Sequence, residues 1–258
     1  MNELHLGDCL EVMKVIPDGS VDAIITDPPY GTTACKWDSI IPFDLMWEQL
    51  NRIIKPNGAI VLFGSEPFSS ALRMSNIKNY KYDWKWNKKQ GGNPLNAKRQ
   101  PLKTYEDVMV FNKHNYYPIK EIRGSVRKKG GLNKQPLHTG KVDLSYHKFN
   151  NEYYPTAILD FSNANKTGKQ HSTQKPVLLM EYLIKTYTNE NETVLDFTMG
   201  SGSTIIAAIN TKRNYIGIEK DEKYFEIAQN RISKHLSLKQ RNNGNFKNRT
   251  NGLAPEDY

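Results

Sequence analysis

The residues Asp27-Pro28-Pro29-Tyr30 end the apolar run Ala23-Ile24-Ile25-Thr26 and put a carboxylate, a backbone carbonyl and an aromatic ring together. Each proline lacks an N–H and locks φ, so a strand entering this tetrapeptide stops there and its tip is stiff. The Asp27 side chain and the Pro28 carbonyl are then two acceptors for an exocyclic amino group, and Tyr30 offers a π-face to a planar base. The same four residues also fit a plain proline turn with Tyr30 packed in a core, so this chemistry needs a second element beside it.

That element is near the other end of the chain. Thr193-Val194-Leu195-Asp196-Phe197 reads as a strand, Thr198-Met199-Gly200-Ser201-Gly202-Ser203-Thr204 as a Gly-rich turn, and Ile205-Ile206-Ala207-Ala208 as the start of an apolar helix. Strand, glycine turn and helix in that order let a ligand approach the backbone at a helix N-terminus. The following strand, Tyr215-Ile216-Gly217-Ile218-Glu219, ends in an acid about twenty residues on, where a carboxylate accepts the ribose hydroxyls of a nucleoside cofactor. A glycine turn alone would mean little; paired with Glu219 it predicts a nucleoside site, without saying which nucleoside.

With both motifs in place, the chain resembles the S-adenosylmethionine-dependent DNA amino-methyltransferases, in their beta-class, circularly permuted arrangement: catalytic Asp-Pro-Pro-Tyr first, cofactor loop last. Four other stretches carry the resemblance: Leu6-Gly7-Asp8-Cys9-Leu10-Glu11, Lys55-Pro56-Asn57-Gly58 with the strand after it, Tyr105 to Phe111, and His171-Ser172-Thr173-Gln174-Lys175-Pro176-Val177. The family's loop usually runs Asp-Pro-Phe-x-Gly-Ser-Gly. Here the proline is absent and Phe197 stands one place early, so only Asp196, Gly200, Ser201 and Gly202 carry over, and Phe197 fits a buried strand residue at least as well as the family's aromatic packing role.

The resemblance implies a methyl transfer from S-adenosylmethionine to an amino group of a DNA base flipped out of the duplex. Asp27, Pro28, Pro29 and Tyr30 form the catalytic set. On the cofactor side Glu219 takes the ribose and Asp8 the adenine amino group. Gly200 and Gly202 let the backbone close on the methionine portion beside Ser201 and Asp196, and Lys175 partners the methionine carboxylate. Lys175 also fits a solvent-facing lysine at a helix start, and Asp8 also fits a helix N-cap, a role compatible with the first. Within the family, Asp at the first motif position goes mostly with adenine N6 and Ser mostly with cytosine N4. The expected product is therefore N6-methyladenine, with cytosine-N4 methylation as the alternative. An RNA or protein amino-methyltransferase and a non-catalytic DNA-binding module are more distant rivals. A homodimer is implied, and a companion restriction endonuclease is left open.

The chain has 258 residues, with 36 Lys and Arg against 27 Asp and Glu. The excess is local: residues 78–175 hold 20 basic against seven acidic residues, interleaved with Tyr80, Tyr82, Trp84, Trp86, Tyr116 and Tyr117, while the remainder is slightly acidic. Such a stretch suits a phosphate backbone. Two cysteines, Cys9 and Cys35, make a disulfide framework improbable, and six scattered histidines give no metal-ligand spacing, so no metal is expected. No apolar run reaches the ~18–20 residues of a membrane span and no signal pattern opens the chain, which reads as a cytoplasmic enzyme with no membrane partner.

These motifs must be positioned by a scaffold. Short β-branched runs at 21–26, 59–63, 107–111, 193–197 and 215–219 alternate with helical patterns at 43–54, 177–188, 204–211 and 221–236. The alternation predicts an α/β, Rossmann-like fold: a mostly parallel sheet with helices on both faces. Open sheets of this kind bind ligands at the carboxyl edge, so Asp27 and Asp196 are expected to meet there. One catalytic domain over 1–237 is expected, with a target-recognition insertion at 112–170 and a disordered polar tail at 238–258.

Overall fold

The strands of this chain alternate between two sets of apolar side chains, and each set has its own helices. The computed structural model describes residues 2–33, 38–92, 94–129, 148–163 and 174–250, excepting the side chains of 128, 129, 148, 149 and 242–250. Cys35, Lys36, Trp37, His138, His147, residues 171–173 and 251–258 therefore lie outside the described residues.

Ten strands and six α-helices are described: β1 (Asn2–Leu6), α1 (Cys9–Met13), β2 (Val21–Thr26), α2 (Phe43–Ile53), β3 (Ile54–Gly64), α3 (Phe68–Ser75), β4 (Tyr80–Gly92), β5 (Lys103–Phe111), β6 (Glu121–Lys129), β7 (Lys148–Tyr153), β8 (Ile158–Asp160), α4 (Val177–Tyr187), β9 (Thr193–Asp196), α5 (Ser203–Asn210), β10 (Asn214–Glu219) and α6 (Glu222–Thr250). Eight of the strands form one sheet in the order β1-β10-β9-β2-β3-β5-β4-β8. Only β5 runs against its neighbours, pairing antiparallel with both β3 and β4.

In β2, Ala23 and Ile25 pack against α4, α5 and α6 with Val61, Val110 and Val194. Ile24, one residue out of phase, packs against α1, α2 and α3 with Ile60, Met109, Leu195 and Ile216. Period-two alternation of apolar residues on both sides of the strand is what a sheet covered on both faces requires. The expected fold class holds.

Two units compose the chain: Met1–Tyr117 with Ala157–Tyr258, and Pro118–Thr156. The smaller unit is the hairpin β6–β7, antiparallel with a register shift between Ile122 and Arg127 that contains Gly124 at φ +58°. It is narrower than the 112–170 insertion read from sequence, because the flanking segments join the larger unit. The Asn115 N–H donates to the Asn57 carbonyl at 3.0 Å, that of Tyr117 to Thr186 at 2.8 Å, and β8 joins the main sheet beside β4.

Two further expectations change. α6 continues to Thr250, so residues 238–250 are helical rather than part of a tail. Trp84 and Trp86 do not face a phosphate backbone: they are buried in the core at 3% and 0% exposure, on the same side of β4 as α4. The Trp86 indole donates to the Phe161 carbonyl at 2.8 Å and that of Trp84 to the Tyr187 hydroxyl at 2.6 Å, which satisfies the one polar atom of each ring. Phe197, just past the end of β9, is buried. Among the described residues no helix is long and apolar enough to cross a membrane, and no cluster of His, Cys, Asp or Glu could hold a metal.

Candidate active site

β2 and β9 lie side by side and parallel, with Ala23 opposite Val194 and Ile24 opposite Leu195. The chain leaving β9 turns into α5 on one face, whereas the chain leaving β2 reaches α2 on the other. Ligands in open α/β sheets bind outside the carboxyl ends of strands at such a reversal. A cavity of about 730 Å³ opens there, within the size range of small-molecule sites. Asp8, Asp27, Pro28, Pro29, Tyr30, Lys175, Asp196, Gly200, Ser201 and Glu219 all line it. Of the candidate residues only Gly202 does not. It is the N-cap of α5 at φ +77°, and a Cβ there would meet Ile232 at 3.2 Å, so this glycine serves the turn and its packing.

The two strand tips are tied by hydroxyls. Thr26 donates its Oγ1 proton to Asp196 at 2.6 Å, and the Thr198 hydroxyl lies 3.1 Å from the Asp27 carbonyl oxygen as its donor. The Thr198 N–H also reaches Asp196, at 3.2 Å. Burial pushes the Asp196 carboxyl up to about 6, against these donors. Asp196 thus acts as the joint between the two halves.

On the glycine-loop side, geometry comes from the backbone. Gly200 sits at φ +51°, and the position of its missing Cβ is open space. Its N–H donates to Glu219 Oε2 at 2.8 Å, and the Asp221 N–H donates to Oε1 at 2.9 Å. Burial raises the Glu219 carboxyl, opposed by these two donors and the Lys220 N–H. Asp8 caps α1 by accepting the Leu10 N–H at 3.0 Å and pairs with Lys220 at 2.9 Å, a contact that lowers its pKa. Ser201 is buried and donates to Gln174 at 3.2 Å.

On the Asp27 side, geometry comes from charged side chains. Asp27 accepts from the Tyr30 hydroxyl on one oxygen and from Lys175 on the other. Lys175 also lies 3.3 Å from Glu106, which accepts from Lys88 at 3.1 Å on its other oxygen. Burial works against the charge on Lys175, but Asp27 and Glu106 outweigh it and raise its pKa. Burial likewise pushes Asp27 up, with Lys175 opposing and Glu106 reinforcing, while Glu106 is itself held low by Lys175 and Lys88 against its own burial. Lys175 is therefore not an exposed helix-start lysine: it is buried, and its ammonium pairs with two acids, Asp27 and Glu106.

Sequence reasoning missed two more groups. Glu106, on β5, links Lys175 to Lys88 in that charge chain. Asp38 organises the loop after the proline tip, accepting the backbone N–H groups of Tyr30, Gly31, Thr32 and Thr33 at 2.8, 2.9, 2.9 and 2.7 Å. Burial opposes its ionisation, yet these donors keep its pKa below the ordinary value. The nearest sequence signal is the density of Gly, Thr and Asp between Tyr30 and Asp38, which favours side-chain-to-backbone bonding.

A doubly wound α/β fold with a glycine turn, a strand-end acid and a proline-stiffened acid around one cleft defines a nucleoside-dependent enzyme of the Rossmann-like methyltransferase class. The family model described as DNA methylase, covering N6 and N4 enzymes, matches residues 21–230. The chain belongs to that family. It is 28% identical over 253 residues to the type II methyltransferase M.HpaI of Haemophilus parainfluenzae, covering 91% of this chain and 75% of that one. It is 27% identical over 275 residues to the DNA adenine methyltransferase YhdJ of Escherichia coli, covering 95% and 90%. Among solved structures, the M1.HpyAVI–SAM complex superposes with a TM-score of 0.62 at 28% identity, covering 90% of this chain and 99% of that one. The cytosine-N4-specific PvuII methyltransferase shares the fold, with a TM-score of 0.64 at 19% identity over 89% and 86% of the two chains.

Proposed function

We propose that this protein transfers a methyl group from S-adenosylmethionine to the N6 amino group of adenine at a specific DNA sequence, after the base is flipped from the duplex. The observation that carries the reading is that Asp27 and Pro28 line the same cavity as Gly200 and Glu219. The donor set fits the cofactor: Glu219 is an acid at a strand end for the ribose, Asp8 is an acceptor for the adenine amino group, and the open Cβ position of Gly200 leaves room at the loop. When bound, the cofactor supplies an activated methyl on a sulfonium. Asp27 and the Pro28 carbonyl accept the amino hydrogens of the base, which aims the nitrogen lone pair and stabilises the positive charge growing on it. Tyr30, backed by Phe68 with ring centroids 5.1 Å apart, supports the extruded base, where stacking is worth about 1–3 kcal/mol.

Adenine is favoured by Asp at the first motif position and by the adenine-methylating relative. The type II relatives favour a restriction–modification setting with a companion endonuclease, and the resemblance favours a cytoplasmic homodimer, which sedimentation of the purified protein tests. The decisive experiment incubates the enzyme with S-adenosylmethionine and methylation-free DNA, then digests the DNA to nucleosides for mass spectrometry. N6-methyladenosine is the expected nucleoside, as its deoxy form. N4-methyldeoxycytidine would move the assignment to the alternative, and no modified nucleoside would end the reading.

A further inference from the structure

We propose that Lys175 is a positioning residue that acts through Asp27, one link of a largely buried chain of alternating charge running Asp27, Lys175, Glu106 and Lys88. The inference rests on Asp27 being the acceptor of the amino hydrogens and adds how that acceptor is held. Lys175 is 8% exposed, and its ammonium lies 6.0, 5.3 and 5.8 Å from the ring centroids of Tyr30, Phe63 and Trp86. Aromatic faces around a desolvated ammonium favour its charged form and restrict where it can go. Within that cage its polar partners are two carboxylates, Asp27 and Glu106.

The four charges sum to zero, which is how buried ions avoid a large desolvation cost. The distribution along the chain matters as much as the sum. Tyr30 holds one oxygen of Asp27 and Lys175 the other, so the carboxylate plane is fixed from both sides. A carboxylate has about four acceptor sites, so it still has room for an amino hydrogen after both bonds are made. Glu106 draws Lys175 the other way and tempers its pull on Asp27. Its Oε2 is buried and makes no hydrogen bond in the strict geometric sense, leaving the ion pair with Lys175 as its one partner among the described residues. An aspartate both aimed and partly neutralised is what an amino group must meet if its lone pair is to point along one line.

The test uses Lys175→Met, Glu106→Gln and the double variant in the full-length enzyme, measuring kcat, cofactor affinity by calorimetry and the pH dependence of methyl transfer. The ionised Asp27 carboxylate accepts more strongly than the neutral acid and stabilises positive charge on the amino nitrogen, so rate falls on the acid side as it is protonated. Removing the cation in Lys175→Met should lower kcat about a hundredfold and move that acid limb to higher pH, with cofactor affinity unchanged. Glu106→Gln should move the limb to lower pH. The double variant should return it toward the wild-type position, and Lys175→Arg, which keeps the charge, should leave it in place. A purely structural role predicts no such pair of opposite shifts, so limbs that stay put or move together in the two single variants overturn the proposal. Lost cofactor binding in Lys175→Met would also overturn it and return Lys175 to the methionine carboxylate. Full activity in Asp27→Ala would instead refute the underlying reading of Asp27.

Discussion

The two halves of the cleft are built by different means. Around Gly200 and Glu219 the contacts are backbone N–H groups donated to an acid at a strand end, and the only freedom used is that of a glycine at positive φ. Around Asp27 the contacts are side chain to side chain, among two acids, two lysines and a tyrosine drawn from four separate stretches. A backbone-made site is fixed by the fold and changes little with solution conditions. A site made from buried charges depends on every member keeping its protonation state, and loses order when one is removed. Under the proposed function, the half that holds the constant cofactor is the one made from backbone, and the half that meets the reacting base is the titratable one.

That contrast can be broken in order of expected effect. Asp27→Asn keeps one acceptor oxygen and removes the charge, and kcat should fall by about a hundredfold to a thousandfold with cofactor Kd unchanged, measured by single-turnover methylation and calorimetry. If both quantities fall together, the halves are not separable. Glu219→Ala strikes the other half and should weaken cofactor binding by about 2 kcal/mol, roughly thirtyfold in Kd, while saturating cofactor restores most of kcat.

Asp38→Asn sharpens the comparison by loosening the loop beyond Tyr30 without touching the glycine turn. Denaturant titration should show a loss of about 1.5–3 kcal/mol near neutral pH, the range for hydrogen bonds to a charged group. The sign of its pH dependence follows from the depressed pKa. The stabilisation is complete above the unfolded value near 3.9 and disappears as pH falls through the lower folded value, so wild type and variant should converge in strong acid. The smallest effect is expected from Gly202→Ala. A Cβ at φ +77° should cost about 1–2 kcal/mol, read as a lower Tm, with the cofactor Kd unmoved because this residue faces α6 and not the cavity.

How much of this was readable in the chain depends on sequence distance. The meeting of Asp27 with Asp196 followed from strand periodicity alone, since both acids end apolar runs of one parallel sheet. The spacing from Gly200 to Glu219 likewise encodes one strand-turn-helix-strand unit. The stretch from Tyr80 to Trp86 misled, because its lysines and aromatics suit a nucleic acid when counted together. Taken at every second residue it separates into Tyr82, Trp84 and Trp86 on the core face and Lys81, Asp83 and Lys85 on the other, which is a strand. The partners of Lys175 had no local signal: Asp27 is 148 residues away, and only the folded sheet brings Glu106 to the same place.

The Thr26–Asp196 hydrogen bond spans 170 residues of chain. During synthesis at about 5–20 residues per second, the first motif therefore waits on the ribosome many seconds before its counterpart emerges. The shared cleft does not exist in a nascent chain that stops short of β9, however well β2 and β3 have already paired. A truncated product would thus be inert toward DNA methylation and would present the β2 edge, bare of its neighbour, to chaperones.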